Sequence, residues 1–249
     1  MIAMPSVRAL ALLGSATAII ACASRGSVAP SAPVVAAPQA PNTLTAQERA
    51  DGWRLLFDGT SMKGWRDYHA DTISGAWSIV AGVITKTKSA EDIVTRESFG
   101  DFELSFDWKL PLRGNAGAFF RATEEYTKIY WSAPEFQLLD DSIGADGRNP
   151  LTSAGAAYGL YAPPRGIAKI GGNWNTSRIV AKGSHVEHWM NGQKTIEYEA
   201  WTPEWLDKVA KSKFHTYPNF GLAKSGLIGF QGDHNGSLEL RNIKIRVLK

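Results

Sequence analysis

One turn constrains this chain more than any other feature. Asn191-Gly192 sits between two extended runs in NWNTSRIVAKGSHVEHWMNGQKTIEYE, Asn173 to Glu199. Both residues accept the positive φ of a type I′ turn, so the pair predicts a two-residue hairpin. A loop of that length pairs Met190 with Gln193, Trp189 with Lys194, His188 with Thr195 and Val186 with Glu197. On that register His188 shares a face with Thr195 and Glu197, while Glu187, Trp189, Ile196 and Tyr198 lie on the other.

Period-two patterning recurs along the chain. Trp77 to Ile84 reads as a hairpin around Ala81-Gly82, and in Asp101 to Leu110 five apolar residues alternate with Glu103, Ser105, Asp107 and Lys109 before Pro111 ends the run. Gly114 to Arg121 is a strand whose small residues leave room above a sheet and whose Arg121 points away from Phe120. Glu135 to Leu139 places Glu135 and Gln137 on one face, Phe136 and Leu138 on the other. Only Thr202 to Ser212 carries full helix signals, with a threonine cap, Pro203 and Glu204; a short polar helix after Thr45 is a weaker second. Asp140 to Gly172 is too long for a structureless connection and reads as the rim of a cleft. Many short strands with one short helix predict an all-β sandwich.

The N-terminus reads differently. Met1 to Ala21 has Arg8 and then an apolar run ending in small residues, a secretory signal too short to span a membrane. Ile19-Ile20-Ala21-Cys22 resembles a lipobox, which makes the single cysteine, Cys22, the lipidation site of an exported bacterial lipoprotein on the periplasmic side of the outer membrane or in the cell envelope. Ordinary cleavage at Ala21-Cys22-Ala23 is the alternative. Residues 22–45 form a Pro/Ala-rich tether, and 46–249 the folded domain. Twenty-seven basic residues against 24 acidic ones, with no long run of either sign, exclude a nucleic-acid footprint.

In order, LFDGTSMKGW, DFELSFDWKL, GNAGAFFRA, EFQLLDD, GAAYGLYAP, the hairpin stretch, SKFHTYPNFG and GLIGFQGDH resemble the 3-keto-disaccharide hydrolase family from Gly52 to Lys249. The resemblance implies a concanavalin-A-like jelly roll of two antiparallel sheets with a concave ligand face. It also implies exported bacterial enzymes acting on sugars oxidised at C3, linked functionally to a sugar 3-dehydrogenase. This chain departs from the family pattern at Asn173, where a longer polar residue is usual, and at Gln231 to Gly236, which carries an inserted glycine.

A ketone at C3 acidifies the hydrogen on C2, so the bond at C1 breaks once a base takes that proton and the C1 oxygen is expelled; water then adds. Positioned proton transfer of this kind contributes about 10² to 10⁴ in rate. His188 or Glu135 is the candidate base and His234 the acid; Arg121, Gln137, Asn175 and Trp174 are the candidate substrate-binding residues. No cofactor is required by this chemistry; a divalent metal on His188, His234 and Glu135 is an open alternative. Two other functions fit the same fold, a lectin-like carbohydrate-binding lipoprotein and a conventional glycoside hydrolase with paired carboxylates.

Overall fold

The computed structural model describes residues 39–142 and 144–249. The signal and lipidation readings, Cys22 included, and most of the tether lie outside the described residues. Thirteen strands follow one another: β1 (Trp53–Leu55), β2 (Trp65–Asp67), β3 (Trp77–Val80), β4 (Val83–Lys86), β5 (Ile93–Phe99), β6 (Phe102–Lys109) and β7 (Asn115–Ala122). Then come β8 (Glu135–Leu139), β9 (Asn175–Lys182), β10 (His185–Met190), β11 (Gln193–Glu199), β12 (Gly226–Phe230) and β13 (Leu238–Val247). An eight-stranded sheet runs β11-β10-β9-β6-β13-β4-β3, with β1 also on β13; a five-stranded sheet runs β2-β5-β12-β7-β8. Every pairing is antiparallel. This is the all-β sandwich that the alternation predicted, with the concanavalin-A-like jelly-roll architecture that the resemblance implied.

Strand β6 shows why the layers pack. Phe102, Leu104, Phe106 and Trp108 are buried, and Phe106 meets Phe136 and Phe230 of the smaller sheet at ring-centroid distances of 6.3 and 5.1 Å. Each such ring removed from water contributes roughly 1.5–3 kcal/mol. The opposite face of β6 carries a polar layer. Glu103 pairs with Arg178 at 2.6 Å and with Arg246, while Asp107 accepts hydrogen bonds from Thr176 and Asn242, each at 2.7 Å.

The Asn191-Gly192 hairpin forms with φ of 50° and 84° at its two turn residues. Met190 pairs with Gln193 and Trp189 with Lys194, and then the register shifts. Thr195 is the extra residue of a bulge, donating its hydroxyl to the His188 carbonyl at 3.0 Å. His188 therefore pairs with Ile196 and Val186 with Tyr198. A one-residue shift exchanges faces, so Ile196 and Tyr198 join His188 inside and Glu197 is turned outward beside Glu187. The expected company of His188 is corrected accordingly.

Among the described residues there are three short α-helices, α1 (Ala46–Ala50), α2 (Gly144–Arg148) and α3 (Pro203–Lys211), of which α1 and α3 were expected. Thr45 and Glu48 cap α1 reciprocally, and the Thr202 hydroxyl accepts the Trp205 amide at the start of α3. Helix α2 lies within the long 140–172 segment, where the sequence offered no periodic signal. Just before α1, Asn42 is buried and donates to the Gly82 carbonyl at 2.7 Å, which pins the start of the domain to the β3–β4 turn.

Candidate active site

Strand alternation on β8 sends Phe136 and Leu138 into the core and leaves Glu135 and Gln137 on the outer face of the five-stranded sheet. Across that face, Gly117 of β7 lies opposite Gln137, and the Gln231 amide donates to the Gly117 carbonyl at 2.9 Å. The floor is thus a glycine flanked by two glutamines. Glu135 folds over the glycine: a Cβ at residue 117 would stand 2.3 Å from the Glu135 Oε1. The small residues of GNAGAFFR make the room that the sequence predicted above this sheet.

Around the floor, Asn115, Tyr130, Asp146, Tyr158, Lys213, Asp233 and His234 complete a pocket of about 550 Å³, part of it open to solvent. Tyr130 belongs to the 3-10 turn Ile129–Trp131 and Lys213 to the 3-10 turn Lys213–Thr216. Asp146 and Tyr158 come from the 140–172 segment, which does form a rim. Asp233 and His234 stand on the loop after β12, which the β4–β5 connection holds at several points. The Lys86 ammonium donates to the His234 and Gly236 carbonyls at 2.7 and 3.0 Å, Ser89 to the Asp233 carbonyl at 2.9 Å, and the Gly232 amide to Asp92 at 2.7 Å.

Electrostatically the pocket is acid-rich, with Glu135, Asp146 and Asp233 in its lining. Burial pushes Glu135 up to about 8, Lys213 opposes the rise, and Asp92, Asp233 and Asp146 add to it. Asp92 is itself raised to about 7, chiefly by burial. Burial holds His234 below the ordinary histidine range. Among the described residues, three buried oxygens of the pocket lining have no hydrogen-bond partner: Gln137 Oε1, Gln231 Oε1 and Asp233 Oδ1. Unpartnered buried acceptors are costly, so a ligand presenting hydroxyl donors would satisfy them.

Of the residues singled out in the sequence, Glu135, Gln137 and His234 come together here. His188 does not. It is 0% exposed, its ring lies 4.7 Å from Phe136 between the sheets, and its Nδ1 is 3.2 Å from the Gly155 carbonyl. Burial pushes its pKa down to about 4, and no substrate reaches a side chain sealed between the sheets, which removes it as a base. Arg121 spends its guanidinium on the Gly100 and Gly183 carbonyls, both at 3.0 Å, and on Asp101 at 3.1 Å. Asn175 bridges the Lys169 backbone and Asn191, and Trp174 lies against Lys109 and Arg241. All three support loops or strands away from the pocket.

With His188 on the core side, the metal set of His188, His234 and Glu135 does not assemble. Among the described residues, His185, Glu187 and Glu197 do bring ligand atoms within 4.8 Å of one another. They sit on the outer face of the hairpin, where Lys194 already reaches Glu187 and Glu197.

Residues 52–246 match the 3-keto-alpha-glucoside-1,2-lyase-like domain family. The chain belongs to this family. It is 32% identical over 232 residues to the 3-keto-disaccharide hydrolase of Bacteroides thetaiotaomicron, covering 80% of this chain and 79% of the relative. A proposed glycosyl hydrolase from Parabacteroides distasonis superposes with a TM-score of 0.80 at 30% identity, covering 84% of this chain and 100% of that one. A second from the same organism gives 0.64 at 30% identity, with 79% and 99% covered. The protein is a glycosidic-bond hydrolase by this relationship. Gln231 and Asp233, which sequence reasoning passed over, lie in the same family motif as His234, and Lys213 lies in SKFHTYPNFG; motif membership was their only signal. Tyr130 and Asp146 carried none.

Proposed function

We propose that this protein cleaves the glycosidic bond of 3-keto-glycosides, 3-keto-disaccharides among them, through the acidity of the hydrogen on C2. The observation that carries the reading is Glu135, a carboxyl only 7% exposed whose pKa is pushed up to about 8 by burial and that lines an open pocket. Among the described residues no hydrogen bond reaches its carboxylate. A desolvated carboxylate is a stronger base than one in water, and a pKa near the working pH suits general-base catalysis. The name of the Bacteroides relative supports the 3-keto substrate.

In the proposed reaction Glu135 takes the C2 proton and the C3 carbonyl becomes an enolate. The electron pair then returns, the C1–C2 double bond forms, and the C1–oxygen bond breaks. The leaving oxygen is protonated through His234. Water adds at C1 and gives its proton to His234, Glu135 exchanges its proton with solvent through the open side of the pocket and protonates C2, and the sum is hydrolysis. The unpartnered Gln137 and Gln231 oxygens accept from sugar hydroxyls. An enzyme that oxidises the C3 hydroxyl must supply the substrate.

Asp146 and Asp233 in the same pocket favour a second reading, conventional acid-and-carboxylate glycoside hydrolysis. Matched aryl glucosides, one oxidised at C3 and one not, separate the readings. Phenol released from the oxidised compound alone is expected. Release from both, or from the unoxidised one alone, would replace the proposal with the second reading, and binding of both without release would make the protein a lectin-like module.

A further inference from the structure

Removal of the C2 proton leaves negative charge on the C3 oxygen, and a site that stabilises it needs a cation or a strong donor one bond away from the base. Arg121, the cation among the substrate-binding candidates, is consumed by two carbonyls and Asp101 and does not line the pocket. Resting on the 3-keto reading above, we infer that Lys213 holds the C3 oxygen of the substrate as the enolate forms.

Lys213 and His234 are the basic side chains lining the pocket. His234 is held below the ordinary histidine range, chiefly by burial and in part by Lys86, and serves the leaving oxygen rather than the C3 oxygen. Other lysines nearby are engaged: Lys86 on two loop carbonyls, Lys128 on Asp233 at 3.6 Å. Among the described residues, by contrast, Lys213 has no carboxylate within ion-pair distance and no hydrogen bond from its ammonium. Aromatic rings position it instead, its Nζ standing 4.2 Å from the Tyr158 ring centroid, 5.3 Å from Phe214 and 5.8 Å from Tyr130. A ring quadrupole attracts a cation without neutralising it, so the charge stays available for an oxyanion. The backbone beneath is fixed, because Phe214 is buried and stacks on Phe220 at 3.9 Å and its amide donates to the Ser212 hydroxyl at 3.1 Å. Lys213 is also the charge that most lowers Glu135, so base and cation already feel one another. As the Glu135 carboxylate takes the C2 proton, the C3 carbonyl oxygen gains the charge and accepts a hydrogen bond from Nζ. When the electron pair moves on to expel the C1 oxygen, that bond weakens and Lys213 is unchanged.

The test uses a 3-keto-glucose analogue with hydrogen in place of the exocyclic C1 oxygen substituent, which can be deprotonated at C2 and has no glycosidic leaving group to expel. In D₂O, wash-in of deuterium at C2 is followed by NMR for the wild type, Lys213→Met and Lys213→Arg. Lys213 is exposed, so both variants fold. The expected result is exchange by the wild type, a loss of about 10² to 10³ in Lys213→Met with KM within a few-fold, and substantial recovery in Lys213→Arg. Lys213→Met also moves the rising limb of kcat/KM toward higher pH. Asp92, Asp233, Asp146, Tyr158 and His234 still face Glu135, and the one opposing cation is lost. Exchange at the wild-type rate in Lys213→Met overturns the inference and leaves the C2 reading standing. No exchange by the wild type overturns the C2 reading first, and this inference with it. A borohydride-trapped adduct on Lys213 overturns it differently, by making the lysine an imine-forming nucleophile.

Discussion

At the scale of single residues the account rests on Glu135 and on the exclusion of His188. If Glu135 is the base, its ionised form is the active one, so kcat/KM rises with pH through about 8. Glu135→Gln lowers kcat by about 10² to 10⁴ and flattens that limb, measurable as a pH–rate profile on an aryl 3-keto-glucoside. The same shift has a stability consequence. The carboxyl is raised from its ordinary 4.5 to about 8, so the folded state binds the proton more tightly. Its contribution is present below about 4.5 and is lost as pH rises through about 8. Glu135→Gln is therefore expected to gain stability relative to the wild type between pH 6 and 9, which thermal melts across that range detect. His188→Ala does the reverse, losing about 2–5 kcal/mol of stability for its cavity while the folded fraction keeps its turnover. A kcat loss in His188→Ala comparable to that of Glu135→Gln would return the histidine to the chemistry.

Among the elements, β7 and β8 build the floor and the loops build the walls. Gly117 has no strained backbone; its requirement is space, since a methyl there collides with Glu135 Oε1 at 2.3 Å. Gly117→Ala is expected to cost at least about tenfold in kcat by displacing a group whose placement matters at the ångström scale, with the far-UV spectrum unchanged. Alternation in EFQLL and DFELSFDWKL was legible because it depends on neighbours in sequence, and so was the Asn191-Gly192 turn. The bulge at Thr195 was not. It is set by which side chains fill the space between the sheets, where Ile196 and Tyr198 win over Thr195 and Glu197. Lys213, Tyr130 and Asp146 were equally hidden, because each arrives at the sheet from a segment whose path is decided by long-range packing. Arg121 misled because alternation breaks at it: its backbone φ of 53° coincides with a register shift between β7 and β12, and its side chain meets the Gly100 and Gly183 carbonyls.

For the whole molecule, the sandwich separates two tasks. Space between the sheets is given to aromatic packing, with His188 within it; on the outer face of the smaller sheet, Val94, Phe119 and Leu227 are covered by Ile129 and Ala133, and the part around Glu135 and Gln137 is left polar and open. The N-terminal segment carries the proposal of a lipid anchor at Cys22; Cys22→Ala is expected to release the protein from the membrane fraction of the producing cell, and an unchanged distribution would contradict it. The central claim is that the glycosidic bond breaks because the C2 proton leaves. Turnover of an aryl 3-keto-glucoside in D₂O tests it directly, with the product quenched early and its C2 position read by NMR against an enzyme-free control. One deuterium at C2 per phenol released is the predicted result, and product that keeps its original C2 hydrogen would contradict the account.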